Sequence, residues 1–368
     1  MKKIEDLITI CNDRNFSYAF FRLPRQKDFH IIIQTTPVKE FNPALELSTA
    51  SGFVFAPFNA DKRHKAYMIV PDHFIAGQSL SGTLIQDLSS LKALDSPSFV
   101  PDNIHTASKE EFIENVETIR ACIKNGEFKK AILSRAEEIV RPEHFTPGEM
   151  FTALCRKYHY SFISLVHIPG AGTWAGASPE LLLGMNDKYL TLVSLAATRR
   201  ALEHNNTVNW SEKELKEQQI VTDFIADLLE EFRIRSYSKS PTESSRAGNL
   251  YHLKTTFSIP NHLLNGKTSS FIRRLHPTPA IWGQPRNGAL DIIRRLEKHN
   301  REYYAGYLGP VNLDGIFEIY VNIRTMKILN DRLVLYIGNG ITEDSDAAAE
   351  WEETCIKANT LLSVIERL

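Results

Sequence analysis

The chain has 368 residues, 43% of them hydrophobic, with 43 Lys plus Arg against 44 Asp plus Glu and a formal net charge of -1. That length and apolar content allow one large or two moderate globular domains with a real core. Basic residues occur in isolated pairs such as Arg273–Arg274, not in a stripe, which argues against a general nucleic-acid or membrane-surface role.

The four cysteines, Cys11, Cys122, Cys155 and Cys355, are scattered singly, which argues against a disulfide framework or a thiolate zinc site. The opening MKKIEDLITI carries two acidic residues and too short an apolar run for a signal peptide. No apolar run approaches the ~20 residues of a membrane span. The expectation is a soluble cytoplasmic protein.

Residues 1–105 form a strand-rich part in which FSYAFFRL, FHIIIQ, GFVFAPF and AYMIV alternate with turn signals. His64 and His73 read as structural or solvated, as lone histidines in such regions usually are. Ser108 to Glu111 makes a capping box. Behind it Phe112, Val116, Ile119 and Ile123 repeat at helical spacing up to the stop Asn125-Gly126. The strand from Lys129 to Val140 places Lys130, Ile132 and Ser134 on one face. The pattern alone favours Lys130 as an edge charge over a deliberate placement.

A helix around 147–157 leads to the strand SFISLVHI and then to GAGTWAGASPELLLG, whose glycines read as a hairpin turn because no phosphate-loop spacing follows. Glu180 enters the apolar LLL run directly after Pro179. Burial there would raise its pKa and suit a general acid; a solvated turn residue is the alternative. TLVSLAATRRA is a strand running into a polar turn. Ser211 to Glu214 is a second capping box, opening a long helix with Val221, Phe224 or Ile225, Leu228 and Phe232 inward. Glu217 lies one turn before Val221, on the core-facing stripe. A carboxylate there needs a cation or metal.

Residues 236–249 read as a surface loop, YHLKTTFSI as a strand and NGALDIIRRLEKHN as a helix. IFEIYVNIRTMKIL and RLVLYIGNGI read as neighbouring strands joined at Asn330-Asp331. The final helix starts near Ser345 and is expected to bury Trp351, Cys355, Ala358, Leu362 and Ile365. Glu350, Glu353 and Lys357 stack beside that stripe, as an exposed ladder or as part of a site. Between His276 and Lys357, three polar clusters interleave His276, Arg324, Glu350, Glu353 and Lys357 with glycine, proline and small residues. That mixture suits a small anion better than a core.

KKAILSR, SPELL, SLAATRR, EKELKEQ, LHPTPA, the E…RE.YAG run at 297–306, NIR, GNGI and EWEET..KA occur in one order over residues 110–368. This series resembles the chorismate-utilising enzymes: isochorismate synthases, salicylate synthases, and the chorismate-binding subunits of anthranilate and aminodeoxychorismate synthases. The resemblance implies an α/β (α+β) fold of the anthranilate synthase component I type. Two similar halves with antiparallel sheets pack together, helices lie outside, and the site sits in the cleft. Residues 106–368 would form a single integrated catalytic region.

Within the family, amine-forming members resemble one another in having glutamine where Lys130 stands, and the aminodeoxychorismate synthases have a nucleophilic lysine where Ala196 stands. The resemblance therefore implies water as nucleophile and an isochorismate synthase, feeding menaquinone or siderophore biosynthesis. A salicylate synthase is the runner-up, disfavoured because those enzymes tend to be longer at the N-terminus. A glutaminase-dependent subunit or a non-catalytic binding protein comes last.

The implied roles are Lys130 as general base on water attacking C2 and Glu180 as acid to the C4 hydroxyl. Mg2+ would be held by Glu217 and Glu353, with Glu350 and Glu214 in support. Arg324 and Lys357 would hold anionic substrate groups, while Ala197, Thr198, Gly338, Ala280 and the side chain of His276 would line the pocket. No obligatory glutaminase partner is implied, and a monomer is the default. Ala197, Asn339 and Gln218 depart from the family's usual glycine, alanine and His or Asn. These departures bear on pocket shape and affinity; none removes an acid, base or ligand.

Overall fold

A computed structural model of the protein describes residues 2–77, 82–95, 104–200, 208–247, 250–264 and 266–368. Runs such as HIIIQ at 30–34 and GFVFA at 52–56 are buried along their whole length, as apolar strands are when both faces are covered.

Among the described residues there are two antiparallel sheets of nine strands each. The first runs, edge to edge, through Gly283–Gln284, Lys130–Val140, Arg332–Ile341, Thr325–Ile328, Gly172–Ser178, Phe162–Ile168, Ser17–Arg22, His30–Gln34 and His73–Ala76. The second runs through Ser238–Lys239, Leu250–Pro260, Tyr189–Arg200, Leu181–Met185, Phe317–Val321, Tyr307–Val311, Gly52–Ala56 and Tyr67–Ile69. Glu243–Ala247 also pairs with Leu250–Pro260. The N-terminal strands are thus woven into both sheets.

The inner faces form one core. Phe162 of the first sheet stacks on Tyr320 of the second at 4.2 Å between ring centroids, and the Phe53 ring of the second sheet lies 6.5 Å from that of Phe162. Outside the first sheet, helices Lys2–Asp13, Pro147–Lys157 and Ala347–Ile365 bury Leu7, Phe151 and Leu361 against Phe20, Ile163 and Leu335. Helix Glu212–Glu231 packs Ile225, Leu228 and Leu229 against the second sheet. No helix among the described residues is long and apolar enough to cross a membrane.

Ser211 makes the reciprocal capping box with Glu214. Ser108 caps its helix through Glu111 N, whereas the Glu111 carboxylate bonds His105 (2.8 Å) and Lys298 (2.9 Å). The expected loop at 236–249 contains strands Ser238–Lys239 and Glu243–Ala247; residues 248 and 249, like Ala201 at the end of the expected strand 191–201, lie outside the described residues. The expected helix at 287–300 ends at Leu296. The last helix buries Glu350, Thr354, Ala358, Leu361, Val364 and Ile365, while Trp351, Cys355 and Leu362 are half-buried. Its inward face is turned from the expected stripe because Arg135 docks on it from the sheet. The guanidinium lies 4.5 Å over the Trp351 ring and donates to Thr354 Oγ1 at 2.9 Å.

Candidate active site

The expected strand IFEIYVNIRTMKIL is two strands in different sheets. The chain leaves the second sheet after Val321 and joins the first at Thr325; it makes the reverse crossing between Ser178 and Leu181. The crossings lie side by side: Ser178 Oγ donates to Val321 O (2.6 Å), Val321 N to Glu180 O (3.0 Å) and Ala177 N to Arg324 O (3.0 Å). Glu180 and Arg324 are thereby delivered to the seam between the sheets, where a cavity opens. Arg324 turns the chain with a φ of 52°, the left-handed region that non-glycine residues seldom occupy. Burial lowers its pKa to about 10, so it stays cationic at neutral pH, and Nη1 donates to Thr360 Oγ1 at 2.9 Å. Glu180 is no solvated turn residue. Burial raises its pKa to about 7, against the opposing charges of Lys130 and Lys357.

Lys130 is wholly buried, and its Nζ donates to Glu217 Oε1 at 2.9 Å. Burial pushes the Glu217 carboxyl up, but the charge and hydrogen bond of Lys130, with Lys357 and Lys213 beyond, outweigh it and hold the pKa below the ordinary value. Space for this pair is made by the neighbouring strand. A Cβ on Gly340 would come within 2.7 Å of both Glu217 Oε1 and Lys130 Cε, and one on Gly338 within 2.6 Å of the Tyr304 hydroxyl.

From helix Ala347–Ile365, Glu353 and Lys357 reach the same cavity and pair with each other at 2.8 Å. Ala197, Thr198 and Ala280 also line it. Ala197 has a φ of 58° at a register shift in its strand, the conformation for which glycine is the usual choice.

Of the sequence-derived site residues, Lys130 meets the cavity only through its partner Glu217, and three others lie elsewhere. The side chain of His276 is packed in the core, its Nε2 donating to Ala305 O (3.0 Å) beside the Tyr307 ring. Glu214 forms a two-pronged pair with Arg199, 2.7 Å on each side, and caps its own helix. Glu350 is committed to Lys213 (2.6 Å), Ser345 (2.7 Å) and Asn339 (3.0 Å).

Among the lining residues to which the sequence assigned no role are Tyr304, quoted only within the RE.YAG motif, and His252. Burial, then the Arg324 charge, lowers the His252 pKa to about 3. The ring is neutral, and since Nδ1 faces Ala197 O at 2.8 Å it carries the proton there. Nε2 is left as an acceptor with no partner among the described residues.

Behind the cavity Arg301 ties the walls together. It donates to Glu297 (2.6 Å), to Ile132 O on the Lys130 strand (2.6 Å) and to Ile281 O in the LHPTPAIW segment (3.0 Å).

No group of three or more His, Cys, Asp or Glu side chains able to hold a metal occurs among the described residues. Besides Glu180, the cavity offers two carboxylates, Glu217 and Glu353. That is a hard-oxygen set which leaves the remaining positions to water or ligand oxygens, and it fits Mg2+ better than a thiolate or imidazole metal.

Cavity, sheet pairing and motif series define a class. The sequence model of the chorismate binding enzymes matches residues 50–366, and the chain belongs to that family. Isochorismate synthase EntC of Escherichia coli K12 is 30% identical over 261 residues, 69% of this chain and 66% of EntC. Isochorismate synthase MenF of Bacillus subtilis is 27% identical over 304 residues, 76% of this chain and 62% of MenF. The chain therefore spans about two thirds of the length of these curated relatives. DhbC of Bacillus anthracis superposes with a TM-score of 0.77 at 22% identity, covering 98% of this chain and 99% of DhbC. The menaquinone-specific isochorismate synthase MenF of Escherichia coli gives 0.77 at 20%, covering 96% and 89%. At these identities the superpositions establish the fold.

Proposed function

We propose that this protein is an isochorismate synthase, converting chorismate to isochorismate by water addition at C2 with loss of the C4 hydroxyl. The observation that carries the reading is the placement of a buried carboxyl, Glu180, in the lining of the cavity, with a wholly buried lysine, Lys130, behind the lining and paired with the lining residue Glu217. Lys130 takes a proton from the attacking water. Glu180 gives its proton to the C4 oxygen, which departs as water while the ring double bonds shift, so atoms and charge balance. A base and an acid poised this way each contribute about 10²–10⁴-fold.

Arg324 and Lys357 neutralise the substrate carboxylates, and burial of the site strengthens those contacts. Glu217 and Glu353 would hold Mg2+, which supplies positive charge to the ring carboxylate when bound. Glu350 and Glu214, paired with Lys213 and Arg199, help to hold the flanking helices. The reading includes a single cytoplasmic chain acting without a glutaminase subunit, its product feeding menaquinone or a catechol siderophore.

Product analysis tests it. Purified protein is incubated with chorismate and Mg2+, with and without an ammonium salt, and the mixture is separated by chromatography. Isochorismate without pyruvate or salicylate is expected. Salicylate with equimolar pyruvate would make the protein a salicylate synthase, and turnover only with ammonium would overturn water as nucleophile.

A further inference from the structure

Asn339 lies between Gly338 and Gly340 on strand Arg332–Ile341. Side chains alternate across a strand. With both glycines on the cavity side, Asn339 turns the other way, towards helix Ala347–Ile365, and is 1% exposed. Its carboxamide is held at both ends. Nδ2 donates to Glu350 O (2.8 Å) and Glu350 Oε2 (3.0 Å), and Oδ1 accepts from Lys357 Nζ (2.7 Å). A flipped amide would set its N–H groups against an ammonium and its oxygen against two acceptors, so chemistry fixes one orientation.

A lysine ammonium has three N–H donors. Those of Lys357 go to Asn339 Oδ1, to Gly338 O (3.1 Å) and to Glu353 Oε1 (2.8 Å). The first two acceptors belong to the sheet and are fixed by it. The third is a side chain at the cavity, and its place is the one an incoming anion can take.

We propose that Asn339 is a positioning residue for the anionic substrate: together with Gly338 O it pins the Lys357 ammonium so that the third N–H is presented to a carboxylate of chorismate in the cavity. This rests on the chorismate reading above. A neutral amide suits the task because it anchors the cation without adding a negative charge beside a dianionic ligand. An ammonium anchored at two points also gives up less freedom when the ligand binds. A purely structural role, docking the helix through Glu350, is the competing account.

A double-mutant cycle separates the two. Chorismate binding is measured by ligand-observed NMR, up to millimolar ligand, for the wild type, Asn339→Ala, Lys357→Met and the double variant, with thermal unfolding of each. Asn339→Ala is expected to weaken binding about tenfold, the scale of one lost hydrogen bond to a charged group, with kcat at saturation within about twofold. In the Lys357→Met background the same change is expected to alter binding by less than about twofold, because the residue acts through that ammonium. Equal weakening in both backgrounds, or none in the wild type, overturns the proposal. Asn339→Ser gives the same reading if the alanine variant does not fold. Wild-type protein that does not bind chorismate overturns the proposed function, a result distinct from either outcome of the cycle.

Discussion

Lys130 Nζ donates to Glu217 Oε1 across 2.9 Å, joining a strand of the first sheet to a helix that begins 82 residues later, at Glu212. Removing one partner of a buried pair leaves the other charge uncompensated, so the informative variant is one that keeps a donor. Lys130→Gln retains an N–H for Glu217 and deletes the proposed base. Isochorismate formation should fall by about 10²–10⁴-fold while chorismate binding changes little, as read by product chromatography beside a binding isotherm. Normal turnover would remove Lys130 from the mechanism.

Glu180 links chemistry to stability. Its pKa is raised by burial from 4.5 to about 7, so the folded protein holds this proton more tightly than the unfolded chain does. The stabilising contribution is complete below the unfolded value and is lost as pH climbs through about 7. Compared with the non-titrating Glu180→Gln, the wild type should lose roughly 3 kcal/mol of unfolding free energy between pH 4.5 and 8. Denaturant titrations of both proteins at the two pH values give the difference directly. A constant gap would mean that Glu180 does not titrate in this window. The proton available to the leaving hydroxyl declines over the same upper range, so activity should fall above pH 7.

Glu353 is the carboxylate that Lys357 neutralises at the cavity. Glu353→Gln keeps the shape and deletes the charge on which a Mg2+ ion would rest. The Mg2+ concentration for half-maximal activity should rise steeply, about tenfold or more, as expected when a charged ligand becomes neutral. An unaltered Mg2+ titration would sink the ligand role.

Gly340 has no room for a methyl group: the added carbon would lie 2.7 Å from both Glu217 Oε1 and Lys130 Cε. Both obstacles are side-chain ends, so they can move and the fold should survive. Gly340→Ala is expected to leave the thermal midpoint within a few degrees and to lower kcat about 10²-fold, the penalty of ångström-scale misplacement. Full activity would show that the Lys130–Glu217 contact tolerates displacement.

Local chemistry was the most legible part of this sequence. A period of two put Lys130 and Ile132 on one face, although the pattern favoured an edge charge for the buried Lys130, and the helical count put Glu217 on the core-facing stripe. Motif resemblance joined residues far apart in the chain into one site. What stayed hidden depended on tertiary partners. Nothing in VNIRT marks a change of sheet, because Arg324 takes its positive φ without a glycine. ESSRA lacks alternation because its strand is an exposed outer ribbon on Leu250–Pro260. His276 sits in a polar cluster, yet its ring is packed in the core, while His252 had no sequence signal and faces the cavity. Glu214 and Glu350 share helix faces with the cavity glutamates, and only the positions of Arg199 and Lys213 reveal that both are already paired.

The paired crossings at Ser178–Leu181 and Val321–Thr325 put Glu180, the proposed acid, and Arg324, proposed to hold substrate, on backbone that belongs to neither sheet. A designer wishing to transplant this chemistry therefore has no module to cut out. A chimera that takes one sheet from a relative inherits half of each stroke, and its join would fall within the site itself. Working hybrids are expected only where donor segments carry both crossings together, so these two short stretches, rather than either sheet, are the natural unit of exchange.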